Sequence, residues 1–123
     1  MSFIVPKGKT GFSRLLSASR CSLQGLAAAF RHEDAFRMDV LLAVVLIPTA
    51  FLLHRTGLEK ALLVGSVLLV LLVELVNSAI EATVDRISTE QHVLSGRAKD
   101  MGSAAVALSL LTLVATWLLV LLG

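Results

Sequence analysis

Residues 61–85 read ALLVGSVLLVLLVELVNSAIEATVD. Ala61 to Val73 is apolar apart from Gly65 and Ser66, and the helix-forming run then admits Glu74, Asn77, Glu81 and Asp85 at spacings i, i+3, i+7 and i+11. At about 100° per residue these four fall within roughly 60° of one another, as one stripe along a helix. The apolar half belongs in lipid. An ionisable group at membrane depth costs on the order of 3 kcal/mol even on the lenient insertion scale, so the stripe must face protein, water or a ligand. Glu74 stands fourteen residues beyond Lys60. That puts it about 21 Å into a hydrocarbon core of about 30 Å, inside the far leaflet, with Glu81 near the leaflet's surface. The rise from Glu74 to Glu81 is about 10 Å, too far for one chain to place both on one ion, so the two carboxylates should have different jobs.

The rest of the chain agrees with a lipid environment. Of 123 residues, 56% are hydrophobic and 16% charged, and the mean hydropathy is +0.85. The apolar residues come in long blocks instead of in alternation, which excludes an ordinary soluble domain. Cys21 is the single cysteine, which rules out an intrachain disulfide and a cysteine-based metal site. The formal charge is +2, but no aromatic-rich sheet pattern or basic groove motif accompanies it, so nucleic acid is not the expected partner. Lys and Arg instead flank the apolar blocks, as anchors against anionic headgroups do. The opening Met1–Pro6 run is too short, and precedes rather than follows Lys7 and Lys9, so it does not read as a cleaved leader.

Working outward, residues 10–31 place Phe12, Leu15, Leu16, Leu23, Leu26, Ala27 and Phe30 on one side of a helix, and Arg14, Arg20, Gln24 and Arg31 off it. This predicts an amphipathic helix lying in the membrane interface. Residues 35–54 form the first predicted span, with Pro48 as a tolerable kink. A polar hairpin at 54–60 containing Gly57 leads to the second span at 61–87. A polar loop at 88–99 carrying Gly96 leads to the third, 100–122. The expectation is one all-α membrane domain over 1–123: three transmembrane helices plus the interfacial helix. Basic residues in the N-terminal region and the 88–99 loop put both in the cytoplasm and the C-terminus outside.

A second acidic cluster, Glu33 and Asp34 with Asp39, marks the cytoplasmic start of the first span. Together with Glu81 it suits Mg²⁺, a hard ion that takes a few carboxylates plus phosphate oxygens. Lys99 and Asp100 begin the third span at the same level, and Lys99 is placed to neutralise phosphate charge. The chain contains no Walker A pattern and no protein-kinase signature set. The residues by themselves describe a membrane-interface site with carboxylates, cations and Mg²⁺.

The motif ELVNSAIEATVDR at 74–86, followed by LSGRAKDMGSAAV at 94–106, resembles the signature of the prokaryotic diacylglycerol kinase family. TGFSR at 10–14 and FRHEDAFR at 30–37 extend the resemblance over nearly the whole chain. It implies a homotrimeric bundle of three-span chains in the bacterial inner membrane, transferring the γ-phosphoryl of Mg·ATP to the primary hydroxyl of diacylglycerol to give phosphatidic acid. By match, Glu74 resembles the family's catalytic base, and Glu33 and Glu81 its metal ligands. Asn77, Lys99 and Asp100 resemble its polar site residues. Arg14, Glu90 and His92 would help hold the nucleotide, and Ser103 would lie along the lipid site with Glu74. A branch that phosphorylates undecaprenol shares the core motif and stays open as an alternative. So does a different class, a small oligomeric transporter, although its polar path would end halfway because Ala61–Val73 is apolar. A non-catalytic assembly subunit would leave the two striped carboxylates without a purpose. The spans of one chain offer a single wall to a ligand, so the start of a neighbour's third span is expected to close the site against the Glu74 stripe, giving active sites shared between chains.

Overall fold

The computed structural model describes residues 10–87 and 92–123. Four helices follow in order: α1 (Gly11–His32), α2 (Asp34–Leu52), α3 (Gly57–Ile87) and α4 (Val93–Leu122). Among the described residues there is no strand.

Helix α1 opens at Gly11, whose φ of 61° lies in the left-handed region that glycine enters without steric cost. Its apolar residues Phe12, Leu15, Leu16, Leu23 and Phe30 stay exposed, as an interfacial helix requires. A single extended residue, Glu33, both ends α1 and begins α2. Arg37 holds this elbow: its Nη1 donates to the carbonyls of Phe30 at 2.9 Å and Arg31 at 3.0 Å, and its Nη2 pairs with Asp34. A guanidinium on the last carbonyls of a helix satisfies acceptors that have no partner within the helix.

Pro48 lies inside α2 without ending it. Proline cannot donate to the carbonyl of Val44, while next to that gap Thr49 Oγ1 donates to Val45 O at 2.7 Å. The turn after α2 is shorter than the 54–60 hairpin expected from sequence. Thr56 and Glu59 form a reciprocal cap, Thr56 N donating to Glu59 Oε1 at 3.2 Å and Glu59 N to Thr56 Oγ1 at 3.1 Å. This capping box starts α3 at Gly57, four residues before the predicted boundary. Arg55 donates to the carbonyl of Leu121 at 3.1 Å, tying the turn to the end of α4.

Helix α4 also starts earlier than predicted. His92 Nδ1 accepts from Leu94 N at 3.0 Å as its N-cap, so residues 93–99, expected as loop, are helical. Their polarity reflects the water they meet, not a break in the helix. At 31 and 30 residues, α3 and α4 are about 46 Å long, more than the hydrocarbon core requires, and project beyond it.

Helix α3 is central and packs against α4, α2 and α1. Ala43, Val67, Val70 and Leu113 form the core, with Leu46, Ile47, Leu71 and Trp117 packed around it. Trp117 Nε1 donates to Leu63 O at 3.2 Å. Even of the apolar window of α3 only 28% is buried within the chain, and of α4 only 11%. Three helices are thus long and apolar enough to span a membrane, and most of their apolar surface turns outward. The chain is a membrane protein.

Candidate active site

The four stripe residues lie on the C-terminal half of α3. Nearest the core is Glu74, only 7% exposed. Asp39, on α2, stands close enough to Glu74 for the two carboxyl groups to act on each other. Glu33, at the α1–α2 elbow, and Glu81, two turns along α3, stand close enough for their charges to act on Glu74. One turn above Glu74, Asn77 Nδ2 donates to Glu81 Oε1 at 3.4 Å. Its Oδ1 is buried and unpartnered among the described residues, as is Asp39 Oδ2.

The far side of the stripe is walled by α4. Gly102 is buried against the side chain of Asn77, and a Cβ at this position would overlap Asn77 Oδ1. Any side chain at 102 would therefore push the Asn77 amide out of its present position. At the water-facing end, Lys99 Nζ pairs with Asp85 Oδ1 at 2.7 Å, and the charge of Glu81 also reaches Lys99. The chain thus orders its polar groups by depth, from the Asp39–Glu74 pair through Asn77 and Glu81 to Lys99 and Asp85.

The residues singled out from sequence do not all meet. Glu33 and Glu81 act on Glu74 by charge, Asn77 and Lys99 are linked to Glu81, and Glu33 lies along the α1–α3 groove with Leu75, Ser78 and Ala79, while Asn77 faces α4. Asp100 and Ser103 are exposed on α4, and neither makes a hydrogen bond or ion pair among the described residues. His92 is exposed and engaged as a cap through Nδ1. Arg14 lies nineteen residues before Glu33 on the continuous α1, about 28 Å away. Within one chain it cannot reach a phosphate that Glu33 also reaches. Glu90 lies outside the described residues. Asp34, grouped with Glu33 in sequence, is turned away and pairs with Arg37. Asp39 was read only as part of an acidic cluster. Its position inside an otherwise apolar span was the available sign that it had a buried partner.

The start of α4 reaches the stripe within the same chain, through Lys99–Asp85 and Gly102–Asn77.

Residues 20–121 match the sequence profile described as prokaryotic diacylglycerol kinase. That is most of the chain. The chain belongs to the prokaryotic diacylglycerol kinase family. A Pseudomonas aeruginosa protein named diacylglycerol kinase is 58% identical over 117 residues, covering 95% of each chain. The Escherichia coli K12 protein of that name is 51% identical over 115 residues, 91% of this chain and 92% of its own. A Helicobacter pylori relative with the same name is 43% identical over 115 residues. In this family setting, the depth-ordered seam is the natural place to look for the reacting groups of a lipid kinase.

Proposed function

We propose that this protein transfers the γ-phosphoryl group of ATP to the primary hydroxyl of diacylglycerol, giving phosphatidic acid at the cytoplasmic face of a bacterial inner membrane. The observation that carries this reading is the buried Glu74 on a polar stripe that rises to a lysine at the water-facing end. A lipid hydroxyl stays near the hydrocarbon and a nucleotide stays in water, so a site joining them needs a proton acceptor at depth and cations at the surface.

Glu74 accepts the hydroxyl proton as the lipid oxygen attacks the γ-phosphorus. Asn77, with its amide held by Glu81 and its oxygen unpaired, orients the hydroxyl or Glu74 itself. Lys99 leaves Asp85 to neutralise the phosphates, and Asp100 contributes at the same level. The transfer is a single in-line displacement without a phosphorylated enzyme. Glu33 and Glu81 fit a Mg²⁺ ion. They are hard oxygen donors from different elements, and Mg²⁺ takes a few such carboxylates together with phosphate oxygens. Bound there, the ion would offset phosphate charge.

Arg14, Glu90 and His92 are assigned to the nucleotide, and Ser103 to the lipid. The distance of Arg14 from Glu33 on α1 favours a homotrimer in which a neighbour's α1 brings Arg14 to the site. The orientation follows from charge, since Arg55 and Lys60 alone among the 11 Lys and Arg lie at the α2–α3 turn, which is therefore outside. The C-terminus lies outside with it.

The function is tested by incubating the purified protein in mixed micelles with γ-labelled ATP and either diacylglycerol or undecaprenol. Label should enter diacylglycerol preferentially. Preference for undecaprenol would move the protein to the other branch, and labelling of neither would end the kinase reading. Sharing of the site is tested by mixing inactive Arg14→Leu and inactive Glu74→Gln chains under conditions that exchange subunits. Activity should partly return, because some interfaces receive both intact residues. Mixed trimers as inactive as their parents would mean that each chain builds its site alone.

A further inference from the structure

Asp85 is the one residue of the α3 stripe to which the transfer reaction gives no task of its own. It holds Lys99, on α4, through an ion pair of 2.7 Å between Nζ and Oδ1. Both side chains are open to water, Lys99 at 44% and Asp85 at 63% exposure, and exposed pairs of this kind add little to stability. Tying α3 to α4 is therefore a minor effect of the contact. Its chemical consequence lies one helical turn away. Glu81 precedes Asp85 by four residues, which on a helix sets the two side chains side by side with Cβ atoms about 6 Å apart. An ammonium on a flexible four-carbon stem that meets Asp85 has Glu81 within reach.

Two carboxylates thus compete for one cation, and Asp85 holds it. Glu81 is in no ion pair among the described residues. The hydrogen bond it accepts is a neutral one, from the amide of Asn77 to Oε1 at 3.4 Å. That state suits a metal ligand. A carboxylate already paired with lysine would have to give up the ammonium before it could take a divalent ion, and the ammonium would repel that ion. The reaction nevertheless needs a cation at this level for the phosphates, so a neutral residue at 99 would not serve.

We propose that Asp85 is a positioning residue that keeps Lys99 off Glu81: it holds the ammonium until the nucleotide phosphates arrive, and so leaves the Glu81 carboxylate open to the divalent ion. This rests on the reading of Glu81 as a metal ligand. Asp85 itself binds neither metal nor nucleotide. Its loss frees Lys99 to swing to Glu81, where the ammonium competes with the divalent ion. The competition weakens metal binding by about threefold to fivefold, the range that an exposed ion pair can supply.

The test titrates Mn²⁺ alone, followed by electron paramagnetic resonance, into the full-length protein in detergent micelles, on material that elutes like the wild type. Asp85→Asn should raise the Kd for Mn²⁺ about threefold to fivefold. Asp85→Glu, which keeps a carboxylate for Lys99, should bind Mn²⁺ like the wild type. In a Lys99→Met background, Asp85→Asn should change the Kd by less than about 1.5-fold, because no ammonium is left to move. With Lys99 present, the effect of Asp85→Asn should shrink as salt is raised to about 1 M. The proposal is overturned if Asp85→Asn binds Mn²⁺ like the wild type. It is equally overturned if Asp85→Asn weakens binding by the same factor with and without Lys99, the mark of a charge acting directly on the ion. A Glu81→Ala protein that binds Mn²⁺ like the wild type would instead remove the metal assignment, and is read from that single variant alone.

Discussion

Replacing Glu74 by Gln is expected to lower kcat for lipid phosphorylation by about 10²–10⁴-fold, the range that general bases contribute. The amide keeps the shape and volume of the side chain and can still pair with Asp39, so the helix bundle should assemble as before. Binding of Mg·ATP, followed by nucleotide titration, should change little, because the groups assigned to it lie closer to the water at Glu33, Glu81 and Lys99. Loss of turnover with intact nucleotide affinity is the signature of an interaction made only in the transition state. A fall in nucleotide affinity as large as the fall in kcat would make Glu74 a metal ligand instead.

Glu81→Ala is expected to act on the other substrate. Removing it should weaken Mg·ATP binding at fixed Mg²⁺ by about tenfold or more, since even partners outside a metal's coordination sphere are worth that much. It should also lower kcat, because Asn77 Nδ2 loses the oxygen that holds it. Glu33→Ala should weaken Mg·ATP binding without this second effect, because it is Glu81 that accepts from the Asn77 amide. Unchanged affinity in both variants would remove the metal assignment from the elbow and the stripe together.

Much of this was legible in the chain before any coordinates. The spans could be read because lipid leaves no alternative to a helix, so hydropathy and length suffice. The stripe could be read because helical periodicity places Glu74, Asn77, Glu81 and Asp85 together without knowledge of anything else. Helix ends were less accurate. The α3 start depended on Thr56 and Glu59 capping each other, a pattern present in the sequence but hidden by reading Gly57 as a turn. The α4 start depended on His92 serving as a cap. Contacts between helices were the least legible. Asp39 meets Glu74, and Gly102 admits Asn77, only because α2 and α4 take particular registers on α3. No periodicity within a single helix encodes those registers. The same limit explains why Glu33 and Asp34, adjacent in sequence, part company at the elbow, where Arg37 takes Asp34 and Glu33 is left facing α3.

With Glu74 as the proposed base at depth and Lys99 nearer the water, the proposed chemistry is one displacement at phosphorus. The most direct measurement is the stereochemical course at the transferred phosphorus, using ATP made chiral at the γ-position with oxygen isotopes and diacylglycerol as acceptor. One in-line transfer inverts the phosphorus. Inversion in the phosphatidic acid is the expected result. Retention would require two successive displacements through a phosphorylated side chain, and would contradict a Glu74 that only takes a proton.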